Sequence, residues 1–301
     1  TTVFCDKLLG ILSSIPDGEI EFELKDNKII IKPSFKKIKF QLKSISSEKY
    51  PEFPASDSIN FFEIPIKNFK SMITQTIFSI SDDETRYFMN GIFLDYVDNS
   101  KLIMVATDGR RLAYINNTFN DLPEFSGIIV PPKILSLILK KASDEGNIAI
   151  GISEKNIFFK LGPYNFSSNL IDGNFPNYSR VIPEEQEYSF SVLRSELLDA
   201  LKRVSLLVEQ KSRRIFLSVD SGVLTISSDD GDFGAAREEI PCKYDGENFV
   251  IALNHKYLEE QLKAIQGESA IIKFTDPTKA ITLLSSEEEE YFHIIMPMQN
   301  D

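Results

Sequence analysis

Apolar positions along the chain switch between two periods, and the switch recurs. In FFEIPIKNFKSMITQTIFS, from Phe61, the period is two at Phe62 and Ile64. It then becomes helical, with Ile66, Phe69, Ile73, Ile77 and Ile80 on one stripe. This predicts a short strand running into an amphipathic helix over 67–80. SFSVLRSELLDALKRVSLL, from Ser189, has the same plan. Phe62, Ile64, Phe69, Ile73 and Phe78 recur as Phe190, Val192, Leu197, Leu201 and Leu206, each 128 positions later. A matching helix is expected over 194–208.

The intervening segments also correspond. GIFLDYVDNSKLIMVATDG from Gly91 matches RIFLSVDSGVLTISSDDG from Arg214, two alternating strands about a turn. IIVPPKILSLILKKA from Ile128 matches VIALNHKYLEEQLKAI from Val250, strand into helix, over 132–142 and 255–265. Near the start, Leu8, Ile11 and Leu12 stand 127 positions before Leu135, Ile138 and Leu139, and EIEFELKDNKIIIK from Glu19 matches NIAIGISEKNIFFK from Asn147. One amphipathic helix looks like any other, but five matched segments in constant order make a repeat. The chain therefore reads as the second half of one domain (1–57), a complete domain (58–183) and another (184–301). PEFPASDS and RVIPEEQEY serve as linkers. The sequence opens Thr1-Thr2-Val3 in place of Met, and a half-repeat before it is expected. The class is α+β, with two helices per complete domain on antiparallel strands.

Composition alters this picture mainly through charge. The 301 residues are 42% hydrophobic and 26% charged, ordinary for a globular protein. No apolar run reaches the ~18 residues of a membrane span, and no signal-peptide pattern opens the chain. Cys5 and Cys242 fit no metal or redox motif, which points to a reducing cytosol. Net charge is −12, a poor start for binding phosphates. The helices depart from it. Residues 67–80 carry Lys67 and Lys70, and 132–142 carry Lys133, Lys140 and Lys141, with no acid in either. Residues 194–208 set Arg194, Lys202 and Arg203 against Glu196 and Asp199; 255–265 balance Lys256 and Lys263 against Glu259 and Glu260. Together the four helices hold +6. A single helix exposing lysines is a solvated face, but a shared sign on repeated helices can make one basic surface on an acidic chain.

Candidate catalytic chemistry is sparse. His255 and His293 are the two histidines, too few for a His-rich metal site or a Ser-His-Asp set. SSDDGDF (227–233) gathers Asp229, Asp230 and Asp232 around Gly231. It lacks the late glutamate of a calcium loop and reads as a polar hairpin tip, with a hydrolase on that cluster as the enzymatic alternative. SSEEEEYF (285–292) reads as an acidic, solvated turn. No catalytic, cofactor or metal site is assigned, and the chain is expected not to be an enzyme.

In VATDGRRLAYI (105–115), Asp108-Gly109 between apolar runs is a tight-turn signal. Local chemistry explains the glycine and leaves Arg110 and Arg111 as solvated turn residues. Yet MVATDGRRLAYI closely resembles a signature of the bacterial sliding clamp, the β subunit of DNA polymerase III. RYFMNGIFL (86–94), LIDGNFPNYSRVIP (170–183) and HIIMPM (293–298) resemble that family too, in its order and spacing, and the resemblance covers the whole chain.

The resemblance implies repeated DNA-clamp domains, each two helices packed on antiparallel sheets, arranged as part of a ring. It implies a head-to-tail homodimer of six such domains, with helices lining a hole around duplex DNA and contacting phosphates, not base edges. No cofactor is implied. DNA-facing residues would be Lys67, Lys70, Lys140, Lys141, Lys202, Arg203, Lys256 and Lys263, with Arg86, Tyr87 and Phe88 from a loop. A hydrophobic pocket between the second and third domains would take short peptides from DNA polymerases, the clamp loader and repair proteins. The matching positions are Met89, Thr107, Gly109, Arg110, Arg111, Leu112, Pro176, Arg180, Val181, Asn254, Tyr257, Ile294, Ile295, Met296, Pro297 and Met298. The arginines would wall its rim with their heads in water. Phe40 and Leu42 would meet Leu206 and Leu207 across the dimer. Half a domain exposes apolar surface, so a chain starting at Thr1 is expected to close the ring weakly or not at all. Ser212 stands where the family has an aromatic, Met89 where it has Leu, Arg110 where it has His, and Gln299 where it can have a basic residue. A cytoplasmic, nucleoid-associated protein without membrane contact is implied. The competing reading is an acidic interaction scaffold with no DNA role.

Overall fold

A computed structural model describes every residue except Asn99, Asp121, Glu288, Glu289, Asn300 and Asp301. The acidic run at 285–292 therefore lies partly outside the described residues. The rest forms two compact units, Thr1–Ala55 and Ser56–Asp301.

Thr1–Ala55 contains helix α1 (Cys5–Ser14) and an antiparallel sheet of β1 (Ile20–Lys25), β2 (Lys28–Pro33) and β3 (Phe40–Lys43), in that order. The β1–β2 turn is Asp26-Asn27, with φ of 48° and 56°. A two-residue hairpin asks for this left-handed pair, and Asp and Asn tolerate it. The unit buries Ile15, Ile30 and Ile31, but α1 buries nothing. Phe22 is exposed, whereas its repeat counterpart Ile150 is fully buried.

In Ser56–Asp301, β4 (Phe61–Pro65) runs into α2 (Ile66–Thr74), and β5 (Ile92–Val97), β6 (Lys101–Thr107) and β7 (Arg111–Thr118) form a meander. β8 (Ile128–Val130) runs into α3 (Pro132–Lys141), followed by the meander β9 (Asn147–Ile152), β10 (Asn156–Leu161) and β11 (Tyr164–Asn169). The order then recurs. β12 (Tyr188–Leu193) leads to α4 (Arg194–Val204), followed by β13 (Arg214–Asp220), β14 (Val223–Ser228) and β15 (Arg237–Lys243). β16 (Phe249–Asn254) leads to α5 (His255–Ala264), followed by β17 (Ser269–Phe274), β18 (Ile281–Ser285) and β19 (Tyr291–Ile295).

Four strands pair as β11-β10-β9-β4. The other twelve form one sheet, β16-β13-β14-β15-β12-β17-β18-β19-β7-β6-β5-β8. That sheet passes from one repeat to the other at β19–β7, where Tyr291–Ile295 lie antiparallel to Ile115–Arg111. Each helix turns its stripe to one continuous core: Phe69 and Ile73 of α2, Leu135 and Ile138 of α3, Leu197 and Leu201 of α4, Leu258 and Leu262 of α5. The Pro131-Pro132 pair starts α3 with its φ preset, and the Asn254 side chain caps α5 by accepting from the Lys256 amide at 3.0 Å.

Two helices end sooner than the apolar periodicity suggests. α2 stops at Thr74, and Ile77–Ser79 form a separate 3-10 turn. Thr74 and Thr76 donate their hydroxyls to the carbonyls of Lys70 (2.8 Å) and Met72 (2.7 Å), and such back-bonding bends a helix and competes with its ladder. α4 stops at Val204, and Ser205–Leu207 continue as a 3-10 turn whose Ser205 hydroxyl bonds the Lys202 carbonyl. Leu206 thereby leaves the stripe it shares in sequence with Leu201. It is 81% exposed, while Leu201 is 1% exposed.

This contrast predicts that Leu201→Ala lowers the stability of Ser56–Asp301 by ~2–5 kcal/mol. Leu206→Ala should cost under ~0.5 kcal/mol. Urea denaturation measures both, and equal losses would contradict the assignment of Leu206 to the surface.

Candidate functional site

The turn between β6 and β7 is built by its own side chains. The Thr107 hydroxyl donates to the Arg111 carbonyl (2.6 Å) and accepts from the Gly109 amide (3.0 Å). The Asp108 carboxylate accepts from the amides of Arg110 (2.9 Å) and Arg111 (3.0 Å). Gly109 has φ of 87°, and a Cβ there would come within 2.8 Å of the Arg86 guanidinium. The positive φ is what requires glycine; a Cβ would also push the end of the Arg86 side chain aside. Arg86 is held over the turn by Asp83 (2.8 Å). Hydrogen bonds from the Thr85 hydroxyl and then from Arg86 pull the Asp83 carboxyl down to about 2. Arg86, expected from its sequence to face DNA with Tyr87 and Phe88, lies against this turn. Tyr87 is exposed and meets Phe88 edge-on at 5.8 Å.

The two arginines of the turn have different fates. Arg110 is exposed and lines the cleft described below. Arg111 is buried, which corrects the expectation of a wet head. Its guanidinium binds Asp108 (3.1 Å), Glu260 of α5 and the Phe78 carbonyl (2.6 Å), and it lies 4.4 Å from the Tyr257 ring centroid and 5.6 Å from that of Phe78. A charge removed from water needs such complete pairing. Arg111 therefore ties the β6–β7 turn to α5.

Beside Arg111, β19 closes the joint. The Tyr291 hydroxyl donates to the Gln75 carbonyl (2.8 Å), and the Asn116 amide donates to the Glu290 carbonyl (3.1 Å). His293 is fully buried, 4.6 Å from the Tyr291 ring and 5.6 Å from that of Phe78. Burial, with Arg111 adding to it, pulls its pKa down to about 3. On the other side of the same two strands, Leu112 and Ile294 belong to a separate apolar cluster with Ile103 and Val105, covered by Phe175, Tyr178 and Ile182.

A cleft of about 220 Å³ opens at the edge of that cluster. Ten expected residues line it: Met89, Thr107, Gly109, Arg110, Arg111, Leu112, Pro176, Val181, Ile294 and Met296. Leu112 and Ile294 form a buried floor, while Val181 and Met296 are about half exposed. The Met296 amide bonds the Arg110 carbonyl (2.8 Å) and extends the β19–β7 ladder by one step. The other six expected residues do not line it. Arg180 is exposed nearby, Asn254 caps α5, and Tyr257 lies under the Arg111 guanidinium. Ile295 points to the opposite sheet face because side chains alternate along β19, and it joins the helix-side core. Pro297 and Met298 come after β19 in the chain, and the Met298 amide bonds the Ala252 carbonyl of β16 (2.8 Å). Two lining residues escaped the sequence reading, Asn177 and Tyr178. They sit in the quoted LIDGNFPNYSRVIP, where the Pro-Asn turn before the 3-10 segment Tyr178–Val181 was the available signal. Burial pushes the Tyr178 hydroxyl up to about 12.

The helix cations fall into two groups. Lys70 pairs with Asp144, Lys202 with Asp199 (3.0 Å), Arg203 with Glu238 (2.8 Å) and Lys263 with Glu259 (2.6 Å). Lys67, Lys140 and Lys256 are exposed, and Lys141 stands 5.5 Å above the Tyr164 ring. Lys67, Lys70, Arg194 and Lys263 line a groove between α2 and the end of α5. Phe40 and Leu42 are half-buried on the edge strand β3; Leu206 is exposed and Leu207 half-buried. Asp229 is bound by the Arg214 guanidinium at 3.0 and 3.2 Å, which makes it a structural anion of the hairpin and not a free acid or base. Among the described residues no group of three or more His, Cys, Asp or Glu could hold a metal ion, and no helix is long and apolar enough to cross a membrane.

The model of the DNA polymerase III beta subunit central domain matches residues 63–177, and that of its C-terminal domain matches 179–299. The beta sliding clamp of Treponema pallidum is 48% identical over 306 residues, covering all of this chain and 82% of the relative. The chain belongs to the beta sliding clamp family. A Staphylococcus aureus beta sliding clamp is 30% identical over 263 residues, 86% of this chain and 70% of that one. The crystal structure of the DNA polymerase III subunit beta from Pseudomonas aeruginosa superposes with a TM-score of 0.90 at 27% identity, covering 99% of this chain and 82% of the other.

Two predictions concern how this clamp-family chain holds its joint. Arg111→Met leaves Asp108 and Glu260 without their cation. It should cost about 2–3 kcal/mol in urea denaturation, below the 3–5 of fully buried pairs because Glu260 stays partly in water; no loss would mean the network is idle. His293 is neutral when folded and near its ordinary value when unfolded. Its contribution is therefore complete above about pH 6.5 and is lost as pH falls toward about 3. His255, also pulled down by burial, acts in the same direction. For His293 stability should drop by about 2 kcal/mol between pH 8 and pH 5. His293→Phe should flatten that slope, and an unchanged slope would contradict a buried neutral His293.

Proposed function

We propose that this chain is a DNA sliding clamp, a processivity factor without catalytic activity. It encircles duplex DNA with no sequence preference and tethers polymerases through the cleft at the β7–β19 joint. One observation carries the reading: the two faces of the joined sheet differ in chemistry. On one face lie helices bearing Lys67, Lys140, Lys202 and Lys256. On the other lies an apolar cleft with a fixed floor and a Met296 rim. Cations at a helical lining attract phosphate over the ~8–10 Å that salt permits. A ring held by topology needs no tighter contact.

In this reading residues 58–183 and 184–301 are the second and third clamp domains, and 1–57 is the second half of the first. Two copies meet head to tail, with Phe40 and Leu42 of one against Leu206 and Leu207 of the other. Arg86, Tyr87 and Phe88 stand where DNA and the cleft adjoin. The cleft receives short peptides of DNA polymerases, the clamp loader and repair proteins. The flexible thioethers of Met296 and Met298 accept varied apolar side chains. The protein works in the bacterial cytoplasm, at the nucleoid.

Retention of the closed ring on nicked circular DNA, lost when the circle is cut to a line, is the expected behaviour; an acidic scaffold would show no retention on either form. For the cleft, Met296→Ala or Leu112→Ala should weaken a polymerase tail peptide by ~1–3 kcal/mol in a titration. Unchanged affinity for both variants would refute the peptide site.

A further inference from the structure

We infer that Asp144, Asp199, Glu238 and Glu259 are internal counterions that hold the cations of the helical lining in check and so weaken its grip on phosphate. The inference rests on the reading of those helices as the DNA-facing surface.

Half of the eight lining cations are already partnered. Lys202 and Lys263 are met by carboxylates one turn earlier on their own helices, Asp199 and Glu259, at 3.0 and 2.6 Å. The other two partners come from outside. Asp144, in the loop after α3, takes Lys70 of α2, whose ammonium also reaches the Ala142 carbonyl at 3.3 Å. Glu238, on β15, grips Arg203 of α4 through two bonds, 2.8 and 2.5 Å. Different elements thus supply the same neutralisation to three helices. Helix-internal spacing explains two of these pairs and not the others. Asp144 also lines the groove of Lys67, Lys70, Arg194 and Lys263, where an entering phosphate would meet it. The hydrogen bonds from Lys70, Lys202 and Arg203 hold Asp144, Asp199 and Glu238 below the usual carboxylate range, so they remain anions at neutral pH.

Exposed pairs of this kind add little to folding. Their effect on a polyanion is larger. A paired cation has no net charge to offer, and it reaches a phosphate only by leaving its carboxylate. Each carboxylate removed should therefore add one neutralised phosphate, steepening the dependence of log K on log salt by about 0.9. That corresponds to roughly a further 3.5-fold loss of affinity between 50 and 200 mM salt.

Neighbouring residues supply the control. Glu238 and Glu239 are adjacent on β15 and point to opposite faces. Glu238 grips Arg203, and Glu239 meets Arg237 at 2.8 Å. Glu238→Gln and Glu239→Gln change net charge equally. With the full chain, binding of a short linear duplex is followed by fluorescence anisotropy across a potassium chloride series. Glu238→Gln and, independently, Asp144→Asn should tighten binding at low salt and each steepen the slope by about 0.9. Glu239→Gln should leave the slope at its wild-type value. Equal steepening by all three variants would overturn the inference, because net charge alone would then matter. So would unchanged slopes in a wild-type chain that binds the duplex and is retained on circular DNA. A wild-type chain that does neither would remove the DNA-facing reading itself, and the inference with it.

Discussion

The backbone pairing of β7 with β19 is the constraint on which the rest of the structure depends. It fuses the strands of two repeats into one sheet, and its register decides what each face contains. Arg111, Ala113 and Ile115 lie opposite Ile295, His293 and Tyr291. Leu112 and Tyr114 lie opposite Ile294 and Phe292. The first set turns to the helices and the second to the opposite face, where the cleft is. A slip of one residue would exchange the two sets, turning the His293 imidazole to the cleft side and the apolar floor toward the helices. Register here is therefore the same thing as the site.

Polar groups at the joint make that register hard to change. Arg111 is satisfied by partners from three places, the turn, α5 and the segment after α2. No other seating of β7 against α5 offers the same set, and an unpaired buried guanidinium is expensive. Tyr291 fixes β19 against the end of α2 through the Gln75 carbonyl, which is open to a side-chain donor because α2 stops at that point. The threonine back-bonding that shortens α2 therefore does more than end a helix. It leaves an acceptor for the strand that completes the sheet.

Much of this was legible in the chain itself. The repeat, the α+β class, the core stripes of the helices and the turn at Asp108-Gly109 follow from periodicity and from glycine's conformational range. Ten of the twelve lining residues of the cleft came from motif resemblance, not from any local property. What stayed hidden depends on tertiary partners. Arg110 and Arg111 are the same residue type side by side, and only α5, brought in from about 150 positions away, separates an exposed rim from a buried tie. The formal charge of the helices was countable, but their effective charge was not, since Asp144 and Glu238 arrive from a loop and a strand. Leu206 kept the helical spacing and lost the helix, because Ser205 altered the backbone just before it.

The cleft joins a rigid part to a mobile one, and the division follows the burial of its residues. Leu112 and Ile294 are locked in sheet register and packed beneath Phe175 and Tyr178, so the floor costs no ordering when something binds. Met296 is anchored by its backbone to Arg110 while its side chain remains about half exposed. An unbranched thioether on a fixed backbone can settle against apolar groups of different shape at small cost in strain. Val181 lies across from it on a 3-10 turn with no buried residue of its own, the element there least bound by packing. A site made this way gains affinity from its floor and tolerance from its rim. Such a division lets one cleft accept apolar groups of different shape without rebuilding its floor.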